Sequence, residues 1–164
     1  MHVTQLMVRP VHWCRPDDDM NVPARLMWEN DCGCVPVCIP GDDGTPQVVG
    51  MLTDRDIAMA AYTQGRPLSE IAVRSAMSHE VVACRPNDPV AQVLTIMQNC
   101  RLHRLPVVES DDRLVGMLSL SDVARAVGDT LRASDERSIG AENIGRVVQA
   151  IRAVRQSHEL TVAA

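Results

Sequence analysis

The pattern of hydrophobic and polar positions divides the chain into short apolar runs and amphipathic stretches that occur in the same order twice. In each half, two apolar runs flank a polar turn, which predicts a β-hairpin. The predicted strands are residues 35–39, 48–52, 105–109 and 114–118. Apolar residues at helical spacing precede each hairpin, and a second helix is predicted to begin at Thr53 or Ser119. A short strand is predicted at the start of each half, at residues 10–14 and 80–84. Each half is therefore predicted to form a βαββα unit, and the fold class is α/β (α+β).

The two halves also share sequence, which indicates an internal repeat. Residues 48–60 align with residues 114–126 at an offset of 66, with seven of thirteen positions identical. Upstream, Cys-Arg-Pro-Asp-Asp at 14–18 aligns with Cys-Arg-Pro-Asn-Asp at 84–88 at an offset of 70. A longer loop in the first hairpin accounts for the change of offset. In both segments, proline and the following Asp or Asn are expected to open a helix as caps.

The repeat divides the chain into four parts. Residues 1–66 are the first repeat, residues 67–76 a helical linker and residues 77–128 the second repeat. Residues 129–164 are a polar connector and an amphipathic C-terminal helix, whose apolar stripe we expect to pack on the module or on a second subunit. The stripe consists of Ile144, Val147, Val148, Ile151 and Val154.

Composition excludes several classes of function. The 164 residues carry a net charge of −5 and include only three aromatic side chains, so the core must be aliphatic and no platform for nucleic-acid bases is expected. No apolar stretch approaches the length of a membrane span, and the N-terminus lacks a basic and apolar leader, so we expect a cytoplasmic protein. The chain has no phosphate-binding Gly-rich loop, no Gly-x-Ser-x-Gly elbow and no His-x-x-x-His pair, which favours a binding protein over an enzyme.

The six cysteines keep a metal- or redox-responsive protein open as an alternative, with His12 or His103 as a further ligand to a cysteine cluster. The Cys32-Gly-Cys34 pair is spaced more closely than the cysteines of a zinc knuckle. The cysteines of the two Cys-Arg-Pro segments occupy equivalent strand positions, as core residues do. The sequence therefore favours buried thiols, and neither a metal nor a cofactor is expected to be required.

The most informative motif is Gly-apolar-apolar-Thr/Ser-x-x-Asp, which occurs at residues 50–56 and 116–122. The hydroxyl and the aspartate predict a helix N-cap with an acid at the third helical position. The duplicated motif resembles the signature of CBS (cystathionine-β-synthase-type) domains, and the tandem copies resemble a CBS pair, or Bateman module. The resemblance covers residues 7–128 and implies a pseudo-twofold pair of units around a cleft, assembled as a flat homodimer.

The resemblance further implies regulatory binding of an adenosine-containing ligand, such as AMP, ADP, ATP, S-adenosylmethionine or NAD, with the signal passed to an effector protein. The aspartates would accept the ribose hydroxyls, supported by the cap hydroxyls. Basic residues would contact phosphate, and aliphatic residues would border adenine. The implied contacts are Thr53, Arg55, Asp56, Ala83, His103, Arg104, Leu105, Pro106, Ser119 and Asp122.

The two implied sites are expected to differ. The first repeat has Gly33 and Cys34 where the second has the basic pair His103 and Arg104, and it has Trp13 where the second has a small alanine. The indole could stack on a base or fill the site itself. A purely structural dimerisation module, with its clefts filled by its own side chains, is therefore a further alternative.

Overall fold

The computed structural model describes residues 1–133, with side chains for residues 1–128, in two compact units. Unit 1 comprises Met1–Arg9, Ala83–Val107 and the residues from Gly116 onward, and unit 2 comprises Pro10–Val82 and Val108–Val115. The apolar stripe predicted in the C-terminal helix lies outside the described residues. None of the helices within the described part is long and apolar enough to cross a membrane.

Unit 2 contains the helices and strands of the first repeat. Its elements are helix α1 at Asn21–Glu29, strand β1 at Cys34–Pro40, strand β2 at Pro46–Thr53 and helix α2 at Asp54–Gln64. The strands pair antiparallel, and a bulge separates Val37 from Cys38. Cys14 adds a parallel bridge to Val37, which is the remnant of the predicted first strand. Within the predicted helical linker, the structure has two single 3-10 turns, Leu68–Glu70 and Val73–Ser75.

The second repeat has the same order of elements. They are helix α3 at Val90–Cys100, strand β3 at Arg104–Val108, strand β4 at Leu114–Ser119 and helix α4 at Leu120–Ala133. A parallel bridge joins Cys84 to Val107, matching the bridge of the first repeat. The mixed α+β fold is therefore confirmed. In place of the strands predicted at residues 10–14 and 80–84, each repeat has a single bridge residue, Cys14 or Cys84, ahead of the observed αββα order.

Both cores are aliphatic, with methionine and cysteine as fillers. Helical spacing brings buried side chains to the inner face of each helix, where they pack on the hairpin. The core of unit 2 contains Cys14, Met20, Met27, Val35, Val37, Leu52, Ile57, Ala60, Ile71 and Val73. The buried residues of unit 1 include Val3, Cys84, Val93, Leu94, Met97, Leu105, Val107, Leu118 and Val123.

Each hairpin forms hydrogen bonds with a segment that, in the sequence, comes just before the other repeat. In unit 1, the Val8 amide donates to the Met117 carbonyl at 2.8 Å, although Val8 lies before the first repeat's helices. In unit 2, the Ser78 amide donates to the Met51 carbonyl at 2.8 Å, although Ser78 lies before the second repeat's helices. We call residues 1–9 and 68–78 the exchanged segments. Each exchanged segment therefore packs in the unit of the other repeat, and not with the repeat that it precedes in the sequence.

The Arg-Pro-Asx-Asp segments do not cap helices, so this part of the prediction is wrong. The Asp18 carboxylate accepts from the Arg15 amide at 2.7 Å, and Asp88 accepts from Arg85 at 2.7 Å, which closes a turn before each helix. Helix α1 begins only at Asn21, without a side-chain cap. Each carboxylate accepts through Oδ2 from an amide three residues earlier, and neither α1 nor α3 has a side-chain cap.

Candidate functional site

The duplicated motif forms a strand-to-helix corner at the end of each hairpin. In unit 2, the Thr53 amide and hydroxyl donate to Asp56 Oδ2 at 2.8 and 2.7 Å, and the Asp56 amide donates to the Thr53 hydroxyl at 3.2 Å. In unit 1, the Ser119 amide and hydroxyl donate to Asp122 Oδ2 at 2.9 and 2.6 Å, and the Asp122 amide donates to the Ser119 hydroxyl at 3.2 Å. The predicted N-caps are confirmed, and each stabilises its helix by about 1 kcal/mol.

The caps fix the orientation of both aspartates while using one carboxylate oxygen. In unit 1 the other oxygen, Asp122 Oδ1, lies 3.8 Å from Arg125 Nη1, and the Asp122 side chain is only 13% exposed. Sequence reasoning missed Arg125, although residues three apart on a helix share a face and this spacing could have identified it. The first repeat has Met59 at the matching position, so only the corner of unit 1 carries this cation.

Unit 1 brings seven of the ten predicted site residues together around its corner. The Leu120 amide at the start of α4 donates to the His103 carbonyl at 2.9 Å, which places the basic pair beside the motif. The Cys84 amide donates to the Pro106 carbonyl at 3.1 Å, which places the neighbouring Ala83 beside β3. His103 is exposed, and Ala83 and Arg104 are partly exposed. Leu105 and Pro106, in contrast, are buried.

Unit 2 holds the other three predicted residues, Thr53, Arg55 and Asp56, at a corner with the same backbone geometry. The Asp54 amide donates to the Gly33 carbonyl at 3.2 Å, matching the bond to His103 in unit 1. Arg55 is exposed in the first turn of α2, and Trp13 is partly exposed at the position that matches Ala83. The two corners therefore share their caps but differ in the side chains around them.

Three of the buried cysteines, Cys14, Cys38 and Cys84, have raised pKa values. Burial raises the pKa of the Cys14 thiol to about 12, and the nearby Asp18 carboxylate adds to the rise. Burial raises the pKa of Cys84 to about 12 as well, with a smaller contribution from Asp88. The pKa of Cys38 also rises to about 12, through burial and then through Cys14. Oxidants react with the thiolate, so the raised pKa values slow the oxidation of these three thiols at neutral pH.

The remaining cysteines do not form a metal site in the part of the chain that the structure describes. Cys34 is buried, Cys32 is partly exposed and Cys100 is exposed. Among these described residues, no group of three His, Cys, Asp or Glu side chains is arranged to hold a metal ion.

Comparison with known proteins identifies both repeats. The family model described as CBS domain matches residues 3–62 and 71–129. The chain is 34% identical over 126 residues to the CBS domain-containing protein YhcV of Bacillus subtilis, covering 74% of this chain and 82% of YhcV. It is 31% identical over 108 residues to hypoxic response protein 1 of Mycobacterium tuberculosis, covering 66% of this chain and 72% of that protein.

Solved structures share the fold. The CBS domain pair of protein MJ0100, crystallised with 5′-methylthioadenosine and S-adenosyl-L-methionine, is 21% identical and superimposes with a TM-score of 0.69. The match covers 79% of this chain and 98% of MJ0100. Hypoxic response protein I, crystallised with two coordinated zinc ions, is 27% identical, with a TM-score of 0.63 and coverage of 77% and 98%.

Proposed function

The chain belongs to the CBS domain family, and we propose on this basis that it is a regulatory module that binds an adenosine-containing ligand at the corner of unit 1. Proteins with CBS-domain pairs are typically regulatory rather than catalytic. The observation that carries the proposal is the capped Asp122, whose orientation is fixed through one oxygen while the other takes no part in the cap. The adenosine ligands of MJ0100, a protein of the same fold, support this class of ligand.

Asp122 is suited to ribose because an ionised carboxylate accepts hydrogen bonds and the two ribose hydroxyls donate them. The cap holds the carboxylate in one orientation, so little conformational entropy is lost when the ligand binds. The side chain is 13% exposed, so its hydrogen bonds form with little competition from water. Ser119 takes the role of the residue that holds Asp122 in place, and Thr53 does the same for Asp56 in unit 2.

The cations of unit 1 are suited to an anionic group on the ligand. His103 and Arg104 lie beside the start of α4, and Arg125 lies one turn into that helix. An arginine can bind phosphate or carboxylate through two parallel hydrogen bonds. Ala83 borders the adenine position. Leu105 and Pro106 are buried and support this wall from beneath, so we assign no direct ligand contact to them.

The corner of unit 2 is proposed to bind the same ligand more weakly. Trp13 replaces a small alanine, glycine and cysteine replace the basic pair, and Met59 replaces Arg125. Arg55 remains as a cation in the first turn of α2. We therefore expect one tightly bound ligand per chain, with no cofactor required for folding.

Titration calorimetry with AMP, ADP, ATP, S-adenosylmethionine and NAD tests the proposal. Asp122→Asn keeps an oxygen acceptor for the cap but loses the charged carboxylate, so we expect the affinity of the tightest ligand to fall at least roughly tenfold. Asp56→Asn is the matched control, because it makes the same change in the weaker corner and is expected to leave the tight affinity unchanged.

Two results would contradict this proposal. Binding of none of the five ligands would remove the ligand class, and an equal loss of affinity in Asp122→Asn and Asp56→Asn would remove the assignment to unit 1. Thermal unfolding of both variants, measured without ligand, shows whether the cap itself has been damaged.

A zinc-responsive module is the second candidate function, because hypoxic response protein I was crystallised with two zinc ions. The geometry of the described residues argues against it, because no group of three His, Cys, Asp or Glu side chains among them is arranged to hold a metal ion. Metal analysis of the purified chain decides the matter: stoichiometric zinc that is lost when Cys32 and Cys34 are replaced would favour this candidate over nucleotide sensing.

We further propose that the module acts in the cytoplasm as a homodimer and signals by a change of conformation or assembly. A ligand shifts such an equilibrium only through its different affinities for the two states. The receiving effector would therefore recognise one of two arrangements of the module.

A further inference from the structure

Each unit has a methionine that packs against the glycine of the duplicated motif. In unit 1, a Cβ added to Gly116 would lie 2.7 Å from Met7 Sδ. In unit 2, a Cβ added to Gly50 would lie 3.0 Å from Met77 Sδ. Both methionines belong to the exchanged segments, and both are partly exposed. The thioether of each exchanged segment therefore occupies the space that a side chain at the glycine would need.

This space lies on the buried face of each hairpin. Strand β4 alternates between buried and partly exposed positions from Leu114 onward, and Gly116 is at a buried position. Strand β2 alternates in the same way from Val48 onward, and Gly50 is buried as well. Successive side chains of a strand point to opposite faces, so the methionine sulfur lies on the side of the core. A thioether suits this place, whereas a polar group without a hydrogen-bond partner is costly there.

Methionine occurs at this position in both exchanged segments, although the residues beside it differ. Met7 lies between leucine and valine, whereas Met77 lies between alanine and serine. Leucine has a similar volume and would fill the same space, so size alone does not account for the methionine. The thioether differs from leucine in its chemistry, because its sulfur can be oxidised. The recurrence therefore favours a role for the sulfur itself.

The other seven methionines of the chain lack this combination of access and position. Three are at most 6% exposed, namely Met20, Met27 and Met97. Two are about half exposed, namely Met1 and Met59. Met51 and Met117 are partly exposed but lie on the strand face opposite to the motif glycines. Only Met7 and Met77 combine a partly exposed side chain with a sulfur that packs against a motif glycine.

We propose that Met7 and Met77 are oxidation sites, at which a peroxide converts the thioether to a sulfoxide and thereby loosens each exchanged segment from its hairpin. The sulfur attacks one peroxide oxygen, and the S–O bond forms as the O–O bond breaks. The released hydroxide takes the proton from the oxygen now bound to sulfur and leaves as water. The sulfur loses two electrons and the peroxide gains them. The inference goes beyond the proposed function and is independent of the ligand.

The sulfoxide oxygen is a hydrogen-bond acceptor that meets apolar surroundings on the buried face. In unit 1, Arg9 Nη2 donates to Met7 Sδ at 3.7 Å, and Arg9 is exposed. The guanidinium therefore offers the new oxygen a partner towards the surface, which draws the sulfur away from the glycine. Unit 2 has His79 at the matching position. In both units the exchanged segment then loses the packing that supports its hydrogen bonds to the hairpin.

Peroxide treatment of the full chain, followed by peptide mass spectrometry and amide hydrogen exchange, tests the inference. We expect oxidation of Met7 and Met77 to speed the exchange of the Met117 and Met51 amides by roughly tenfold or more. These two amides report on the loosening because they donate to carbonyls of the exchanged segments. Reduction by methionine sulfoxide reductases should restore the slow exchange.

Leucine variants separate this effect from oxidation elsewhere in the chain. Met7→Leu should abolish the acceleration at Met117 and keep that at Met51, and Met77→Leu should do the opposite. Both variants should fold, because leucine and methionine are close in volume. Met59→Leu is the matched control, since it removes an oxidisable sulfur that is exposed on α2, and it should keep both accelerations.

Any of three results would overturn the inference. The first is that Met7 and Met77 stay reduced under conditions that oxidise Met1 and Met59. The second is that the two amides keep their slow exchange after both sites are oxidised. The third is that the acceleration persists in the double variant Met7→Leu with Met77→Leu, which would assign it to a cysteine or to another methionine.

Discussion

At the scale of single residues, the motif glycines are required by the exchanged segments. A Cβ at Gly50 would lie 2.8 Å from the backbone carbonyl oxygen of Ser78, and a Cβ at Gly116 would lie 2.7 Å from Met7 Sδ. Neither glycine has a left-handed backbone, so the requirement is for space. The glycine of the CBS motif thus serves the fold, because it leaves room for the exchanged segment.

The two glycines should differ in their tolerance of alanine. Gly50→Ala pushes against backbone and should cost about 2 kcal/mol or more, whereas Gly116→Ala meets a side chain that can move and should cost about 1 kcal/mol. Gly128→Ala is the control: its Cβ meets nothing within 4 Å in a helix, so stability should rise by up to about 1 kcal/mol. Urea unfolding measures all three, and equal losses at Gly50 and Gly116 would contradict this account.

The buried thiols should make the fold sensitive to alkali. Burial raises the pKa of Cys84 from 9.0 to about 12, so above pH 9 the unfolded chain releases a proton that the folded chain retains. Stability is full below pH 9 and falls as the pH rises towards 12, by up to about 1.4 kcal/mol per pH unit for one thiol. Urea unfolding in reductant at several pH values should show this slope, and Cys84→Ala should make it shallower. A slope unchanged by Cys84→Ala would mean that this thiol titrates normally when folded.

At the scale of elements, the sequence predicted what depends on neighbouring residues and missed what depends on distant ones. The N-caps followed from spacing, because their hydrogen bonds join residues three positions apart. The hairpins followed from two apolar runs on either side of a polar turn. The predicted caps at Asp18 and Asp88 failed because each carboxylate bonds to an earlier amide. The bridges from Val8 and Ser78 join residues that are 109 and 27 positions from their partners, Met117 and Met51, and no local pattern marks them.

The residues of the candidate site likewise divide into those that the sequence predicted and those that it did not. The duplicated motif identified the capped aspartates, and their geometry is local to one turn of helix. Arg125 lies outside the duplicated motif and has Met59 at the matching position of the first repeat, so the repeat did not identify it, although its spacing from Asp122 is local. The burial of Leu105 could not be predicted from the sequence, since the last four residues of β3 are all buried and no alternation distinguishes its two faces.

At the scale of the whole molecule, unit 1 depends on residues from both ends of the described chain. Val3 is fully buried in unit 1, and its amide donates to the Asp88 carbonyl at 3.0 Å. Removal of residues 1–8 should therefore destabilise unit 1, and the Met117 amide, which loses its bond to the Val8 carbonyl, should exchange hydrogen faster. The equivalent amide of Met51 in unit 2 keeps its bond to Ser78 and is the internal control. Equal acceleration at Met51 would indicate that the whole molecule loosens.

The exchanged segments also determine the order in which the two units can fold during translation. Apart from the hairpin tip, the residues of unit 2 are contiguous, so most of that unit can form soon after they leave the ribosome. Residues 1–9 are translated before the rest of unit 1, and Val8 finds its hydrogen-bond partner only when the stretch around Met117 has been translated. A nascent chain therefore carries the unmatched Val8 until that point, and a chaperone or a slow codon acting near Met117 would affect the closing of unit 1 before that of unit 2.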